Sequence, residues 1–580
     1  MTFQDFISQA NLDYNLYQEE GVHWCVNKEK DNDQHNEENS LNNSSYIKGG
    51  IVADEMGLGK TITMLGMMYL NKLPATLIVV PVVLIDQWKE AIQQYLHCNI
   101  MIYHGQNKSL SMIEKLLQDV QDVQDVQHKP LVVITTYGVL TQRKKDNNSI
   151  KLKPRQLQIS DYLNAILYHI QWDRIIYDEA HHTRNNTTQK FWSCNMLQSK
   201  IKWCVTGTPI QNKLRDFRNL LRLLNISPTS MKSPTQLEDI IQKHMLRRTK
   251  NDVGITLPPI SIINNTVEWK SDVERKLNLK FMSYQHKNRI QNIDDIDLIF
   301  DSNSHHSDHN INSNINDNQI EFSIDEIEVS NDIQNKSKNI FTLLENRMLG
   351  LPGSSHNLEH HYRQNHLLDE DIDKCADLLE NNLLTSMIRG RQMCIYPGLI
   401  LPKLQQHITD NNISRGINQL KNYSSKLDAV IEHIQQNRRN DRKIIFCNFK
   451  EEISQLYNRL ISENSIYNKS DIACYDGTLN YNTRKSIISN QQLKVLIIQI
   501  QTACDGLNLQ HYNEIYFVSP CWNPAMEDQA IARCHRLGQT KTTFVYRFQM
   551  AFDDTRITNM DDYIELNQRN KRNLIQEIYT

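Results

Sequence analysis

Apolar residues in this chain fall into short runs separated by helical stretches. Between about 47 and 225, "KGGIVAD", "ATLIVVP", "LVVITTY", "DRIIYDEA" and "IKWCVTG" read as strands. They are rich in β-branched residues and almost continuously apolar, as strands covered on both faces are. "TITMLGMMYLN", "LIDQWKEAIQQYL" and "DFRNLLRLL" read as helices between them. Alternation of this kind predicts a parallel sheet covered by helices. The pattern returns after about 420, where "RKIIFCNF", "SDIACYDG", "KVLIIQI", "EIYFVSP" and "TTFVYRF" alternate with "KEEISQLYNRLI" and "AMEDQAIARCHRL". The expected fold class is therefore α/β, with two lobes built on parallel sheets covered by helices.

The middle of the chain breaks the pattern. "DSNSHHSDHNINSNINDNQ" is rich in Asn, Ser and Asp and has little apolar periodicity, which predicts a disordered insertion. His305, His306 and His309 lie in it and read as solvated residues more readily than as metal ligands. "QDVQDVQDV" at 118–126 reads as a surface expansion. The expected division is a first lobe over 1–258, a helical interlobe region over 259–415 carrying the insertion at about 291–340, and a second lobe over 416–580.

Composition changes this picture only locally. At 580 residues the chain exceeds one core. Net charge is −3, but residues 291–340 hold eleven Asp/Glu against two Lys. Removing that −9 leaves about +6 on the other 530 residues, enough for a local basic groove. Eleven cysteines are scattered without a Cys-x-x-Cys pair, so reduced thiols in an intracellular protein are expected. The N-terminus has no apolar signal region, and the longest apolar run, "TLIVVPVVLI", is about half a membrane span. A soluble protein with no membrane partner is expected.

The candidate chemistry sits at strand ends. "IVADEMGLGKT" runs from an apolar strand into a helix. Gly57 and Gly59 let backbone wrap a phosphate, and the helix start adds amide dipoles. Lys60 would reach the β- and γ-phosphates, and Thr61 would give Mg²⁺ a hydroxyl. Asp54 stands where the general pattern wants glycine. About 120 residues later comes "RIIYDEAHHTRN". Adjacent His181 and His182 lack the i, i+4 spacing of a helical zinc site. The acid pair suits another job: Asp178 as the Mg²⁺ carboxylate and Glu179 as the group that polarises the attacking water. His181 reads as a coupler between nucleotide and lobe interface, and His182 as structural or exposed. In "QAIARCHRLGQ", Gln529, Arg533 and Arg536 are spaced i, i+4 and i+7, one face of a helix. Two guanidiniums there could meet a γ-phosphate held by the other lobe and stabilise the charge of phosphoryl transfer.

"DEMGLGKT", "DEAHHTRN", "VTGTPIQN", "MLRRTKNDV", "SSKLDAVIEHI" and "WNPAMEDQAIARCHRLGQ" occur in this order. Together they resemble the Swi/Snf-type DNA-dependent ATPases, a helicase-like family with two RecA-like lobes, over about 12–265 and 385–580. "DEAHHTRN" and "RCHRLGQ" lean toward the helicase-like transcription factor group. Many members of that group carry a RING finger between the lobes. No Cys/His lattice stands there in this sequence, so ubiquitin-ligase activity is not carried over. The compact form is similar to viral global transactivators. The resemblance implies ATP and Mg²⁺ as cofactors, double-stranded DNA as partner, nucleosomes or transcription proteins as further partners, a monomer, and a nuclear location (the host's nucleus for a viral member). It makes Asp54, Glu55, Met56, Gly57, Leu58, Gly59, Lys60 and Thr61 the nucleotide loop, with Gln529 opposite. "LYQEEGVHW" resembles the adenine-recognising segment, with Gln18 reading the base. Thr206, Gly207, Thr208, Pro209, Gln211 and Asn212 resemble the segment that couples nucleotide state to DNA grip. "PVVLIDQW" and "ITTYGVL" match segments that touch DNA phosphates, with Thr135 and Thr136 as candidates.

Two departures stand out. "TACDGLNL" has Ala503 and Cys504 at usual glycine positions, and Ser519 replaces a usual acid. The implied function is an ATP-driven double-stranded DNA translocase that displaces or remodels bound proteins. Its competitors are a strand-separating DNA or RNA helicase and a catalytically weak DNA-binding transcription regulator. Against the RNA helicases, "ARCHRLGQ" does not match their usual Gly-Arg-x-Gly-Arg.

Overall fold

The computed structural model describes residues 2–30, 48–105, 118, 129–143, 154–211, 213–227, 231, 233–287, 383–407, 418–437, 439, 441–462, 466–503, 506–551 and 559–579. The first sheet is built from β1 (Lys48–Val52), β2 (Ala75–Val80), β3 (Asn99–Ile102), β4 (Leu131–Thr136), β5 (Trp172–Asp178), β6 (Ser199–Val205) and β7 (Met245–Leu246). Their spatial order is β3-β4-β2-β5-β6-β1-β7, with every pairing parallel. Strand β5 shows why its sequence run is unbroken. Ile175 and Tyr177 enter one core with Trp172 and Phe217, while Ile176 enters the opposite core with Trp88 and Trp203. Both faces of the strand are covered, so the run Ile175, Ile176 and Tyr177 is apolar on both sides.

The second sheet contains β8 (Ile260–Val267), β9 (Lys443–Cys447), β10 (Ile472–Tyr475), β11 (Val495–Gln499), β12 (Glu514–Phe517) and β13 (Thr543–Met550). Its order is β10-β11-β9-β12-β13-β8, again parallel throughout. Each lobe is thus a parallel sheet between layers of helices, the α/β architecture expected from the sequence.

One boundary differs from the sequence reading. β8 falls in the segment expected to be interlobe, yet it pairs with β13 along its whole length. It is an edge strand whose positions alternate between exposed and half-buried, so it lacks the apolar run that reveals the inner strands. The helices Asp272–Lys287 and Leu383–Ile395 follow it to the same lobe. Asn278 Nδ2 donates to Gly390 O at 3.0 Å, and Met387, Cys394 and Ile395 join the second lobe's core. The acidic insertion, its three histidines and all but Gln118 of the tripled triplet lie outside the described residues. Among the described residues the cysteines are free thiols, and no helix is long and apolar enough to cross a membrane.

Candidate active site

The parallel arrangement delivers three loops to one edge. β5, β6 and β1 are neighbours, and their register sets Asp178 beside Val205 and Val205 beside Val52. The acid pair, the Thr206–Thr208 turn and the phosphate loop therefore emerge side by side at the carboxyl ends of the strands. Ligands of open α/β sheets bind at that edge.

The loop itself is shaped for an anion. Gly59 has φ +77°, the left-handed region that glycine enters without a clash. A Cβ there would stand 2.6 Å from Gln18 Nε2, so Gln18 rests directly on the loop. Lys60 Nζ donates to Asp54 O at 2.9 Å and to Glu55 O at 3.5 Å, which places the ammonium inside the curl. Lys60 and Thr61 open the helix Lys60–Leu70, whose free N–H groups favour negative charge. Leu58 is fully buried and anchors the turn, and Met56 packs against Gly207. The Lys60 pKa lies below its ordinary value, because burial and Arg533 outweigh Glu179, Asp178 and Asp54.

Asp54 and Glu55 do not offer their carboxylates to a nucleotide. Asp54 is held by Arg248, with Nε to Oδ1 at 3.1 Å and NH2 to Oδ2 at 2.5 Å. Glu55 accepts from Lys250 N at 2.8 Å and pairs with Lys250 Nζ at 2.8 Å. Their part is to fix the loop to residues 248–250. Sequence alone marks "MLRRTKNDV" as a motif without a role.

The acid pair is buried and tightly held. Asp178 Oδ2 accepts from Trp88 Nε1 at 2.7 Å, and Oδ1 accepts from Glu179 N at 2.9 Å. Burial, then the Glu179 charge, pushes the Asp178 pKa up to about 6. Glu179 adopts φ 49° and ψ 48°, a region uncommon for residues with a Cβ. Held strain of this kind costs about 1–3 kcal/mol and clusters at functional sites. Burial raises the Glu179 pKa, but His181, Arg533 and Lys60 bring it below the ordinary value. His181 Nδ1 lies 3.1 Å from Thr206 Oγ1 and 3.4 Å from Glu179 Oε2, and burial drives its pKa down to about 4. Its ring stacks on His182 at 4.8 Å.

The second lobe closes the site. Arg533 NH2 donates to Glu179 Oε1 at 3.1 Å. Gln529 Nε2 donates to Thr208 Oγ1 at 2.9 Å, and Asn523 Nδ2 to Gln211 Oε1 at 3.3 Å. Gln529 thus meets the coupling turn rather than the phosphate loop. A continuous path runs from Glu179 through His181, Thr206 and Thr208 to the second lobe, since Thr208 N also donates to Thr206 Oγ1 at 3.2 Å. Asn212 lies outside the described residues.

Arg536 corrects the single-face reading. The helix Pro524–Cys534 ends before it, and His535 leaves helical geometry with ψ 80°. Arg536 reaches the cleft from the following turn, where its Cβ would stand 3.6 Å from a Cβ on Gly57. Its Nε is buried and has no hydrogen-bond partner among the described residues. Burial and Arg533 hold its pKa below the ordinary arginine value. A buried guanidinium nitrogen without an acceptor, beside a glycine loop, fits a phosphate group.

Two expectations about DNA contact are not met. Thr135 and Thr136 are buried. Thr135 Oγ1 donates to Tyr103 O at 3.0 Å, and Thr136 Oγ1 accepts from Val139 N at 3.3 Å. Their segments serve the acid pair instead: Trp88 holds the Asp178 side chain, and Tyr137 OH donates to Asp178 O at 2.8 Å. Of the altered second-lobe segment, Ala503 is buried, Gly506 abuts Leu84 of the first lobe, and Cys504 lies outside the described residues. Ser519 Oγ accepts from Asn448 Nδ2 at 2.8 Å.

The SNF2-related domain model matches residues 17–234, and the helicase conserved C-terminal domain model matches residues 425–538. The chain belongs to the SNF2-related, helicase-like family that these two models describe together. DNA repair protein RAD5 of Candida albicans is 27% identical, over 87% of this chain and 54% of that protein. DNA repair protein rad8 of Schizosaccharomyces pombe is 26% identical, over 87% of this chain and 50% of that protein. The chain spans about half the length of these curated relatives. The structure titled Sulfolobus solfataricus SWI2/SNF2 ATPase core in complex with dsDNA aligns over 98% of this chain and 92% of that chain, at 19% identity and TM-score 0.32.

Proposed function

We propose that this chain is an ATP-driven motor on double-stranded DNA that displaces or remodels proteins bound to it. The observation that carries the reading is the contact of Arg533 with Glu179 across the cleft, beside the phosphate loop. A site whose acid comes from one lobe and whose arginines come from the other is complete only when the lobes meet. Hydrolysis is then coupled to lobe movement, which is what a motor requires.

In this reading Lys60 and the 57–61 backbone hold the phosphates, and Gln18 reads the base. Glu179 orients the attacking water, and Arg533 and Arg536 stabilise the charge of the transferring group. Thr61 and Asp178 would hold Mg²⁺, which takes one or two carboxylates together with substrate phosphates. Bound there, the metal would neutralise charge on the β- and γ-oxygens. The path through His181, Thr206 and Thr208 carries the nucleotide state to Gln529. The DNA-repair names of the relatives favour nuclear work on damaged or protein-blocked DNA over a role confined to transcription.

The test compares ATP turnover by the purified chain with double-stranded DNA, single-stranded DNA and RNA. Double-stranded DNA should stimulate most, and a forked duplex should stay paired. Best stimulation by RNA, or unwinding of the fork, would point to a strand-separating helicase. No turnover with any of the three would point to a non-catalytic DNA-binding regulator.

A further inference from the structure

The aspartate that replaces a glycine in the phosphate loop has a partner 194 residues away in sequence. Arg248 spends every guanidinium nitrogen at this junction. Nε and NH2 take the two oxygens of Asp54, and NH1 donates to Tyr17 O, the carbonyl of the residue before Gln18. Its backbone joins in, because Glu55 N donates to Arg248 O at 2.8 Å. The pair is well enclosed, with side-chain exposure of 14% for Arg248 and 0% for Asp54. Charge-assisted bidentate bonds in such surroundings are strong and geometrically exact in demand.

The surroundings are cut to fit this side chain. The guanidinium carbon lies 5.5 Å from the centre of the Tyr17 ring. Gly21, one turn further along the helix Leu16–Lys30, leaves it room: a Cβ there would stand 2.7 Å from NH2. Gln18 in turn rests on Gly59. The contacts form a closed ring, from Tyr17 and Gln18 to the phosphate loop, to Asp54, to Arg248 and back to Tyr17.

We propose that Arg248 is a positioning residue that couples recognition of the nucleobase to the shape of the phosphate loop. It thereby sets the preference for a triphosphate that carries its base. The proposal rests on the reading of Gln18 as base reader and of 57–61 as phosphate loop. A base seated against Gln18 fixes the Tyr17 carbonyl, and the planar guanidinium passes that constraint to Asp54 as one rigid unit. Lysine keeps the charge but not the fork, so Arg248→Lys separates charge from geometry.

The experiment measures equilibrium binding of ATP and of ribose 5′-triphosphate, which lacks the base, to wild type, Arg248→Lys, Gly21→Ala, Gln18→Ala and the Gln18→Ala/Arg248→Lys double variant. Wild type should prefer ATP. Arg248→Lys should weaken ATP at least about tenfold and ribose triphosphate less than about twofold. Gly21→Ala should act in the same direction, since its Cβ would stand 2.7 Å from NH2 and push it off Asp54 Oδ2. The double variant should be non-additive for ATP. Equal weakening of both ligands would mean a merely structural residue and overturn the proposal. An unchanged preference in folded Arg248→Lys and Gly21→Ala, or a wild type without preference, would overturn it too. DNA-stimulated turnover of wild type is recorded alongside. Selective binding that depends on Arg248, without turnover, would sink the motor reading alone; turnover with an unchanged preference would sink the coupling alone.

Discussion

Arg533 of the second lobe lies 3.1 Å from Glu179 of the first, and the two side chains are 14% and 12% exposed. The residue proposed to orient water and a residue proposed to steady the transferring phosphoryl group therefore touch. Neither has its surroundings without the opposite lobe.

Glu179→Gln should leave ATP binding within about threefold of wild type and lower turnover at least about 100-fold, the range a positioned base contributes. The amide keeps the size and an acceptor for Arg533, but it cannot polarise water as the carboxylate does. Nucleotide binding and steady-state turnover on one preparation check this. Lost binding with normal residual turnover would assign the acid pair differently.

A pH effect is expected within the second lobe. Glu452 is fully buried, and burial pushes its pKa up to about 7 from an ordinary 4.5. Its Oε2 accepts from Asn448 N at 2.9 Å and Phe449 N at 3.1 Å, capping the helix Lys450–Leu460, while Oε1 has no partner among the described residues. The folded pKa is above the unfolded one. The stability linked to this proton is therefore fully present below about 4.5 and is lost as pH rises through about 7. Between pH 5.5 and 8.5 the loss should approach about 2 kcal/mol. Glu452→Gln keeps the capping oxygen and should flatten this dependence. Denaturant titrations of both chains at the two pH values decide it, and parallel curves would reject it.

Much of this was legible in the sequence because it is local. The inner strands announce themselves by unbroken apolar runs, and the phosphate loop and the acid pair each lie within a dozen residues. What was hidden depends on distant partners or on exposure. β8 is an edge strand, half of its positions open to solvent. Asp54 looked like a flaw in a glycine pattern until Arg248 stood beside it. Thr135 and Thr136 looked accessible at a strand end but point into the fold. Spacing alone puts Arg536 on a helical face, because periodicity cannot show that the helix stops at Cys534.

A second hidden pair yields a stability prediction. Glu29 receives two bonds from Arg174, Nε at 2.6 Å and NH2 at 2.5 Å. Trp203 Nε1 adds one at 2.8 Å and Asn71 Nδ2 one at 2.7 Å. Both charged side chains are essentially enclosed, at 1% and 0% exposure. Glu29→Ala strands a buried guanidinium and should cost at least about 3 kcal/mol. Replacing Glu29 and Arg174 together by methionine should cost less than Glu29→Ala alone. Denaturant midpoints of the three chains provide the check, and a loss under about 1 kcal/mol in Glu29→Ala would contradict the account.

The most direct test of the two-lobe mechanism is DNA-stimulated turnover of Arg536→Ala at saturating ATP, with nucleotide and DNA binding measured on the same preparation. Arg536 approaches Gly57 from the second lobe with a buried Nε that has no hydrogen-bond partner among the described residues, whereas Lys60, Thr61 and Gln18 lie in the first. Turnover should fall at least about 100-fold, near the low end of what such arginines supply. ATP affinity should fall much less, and DNA binding should persist because phosphate contacts are shared among many residues. Arg533→Ala should behave alike, and the double variant should not be additive, since both act on one transferring group. Unchanged turnover, or lost DNA binding with basal turnover intact, would contradict a catalytic site completed by the second lobe.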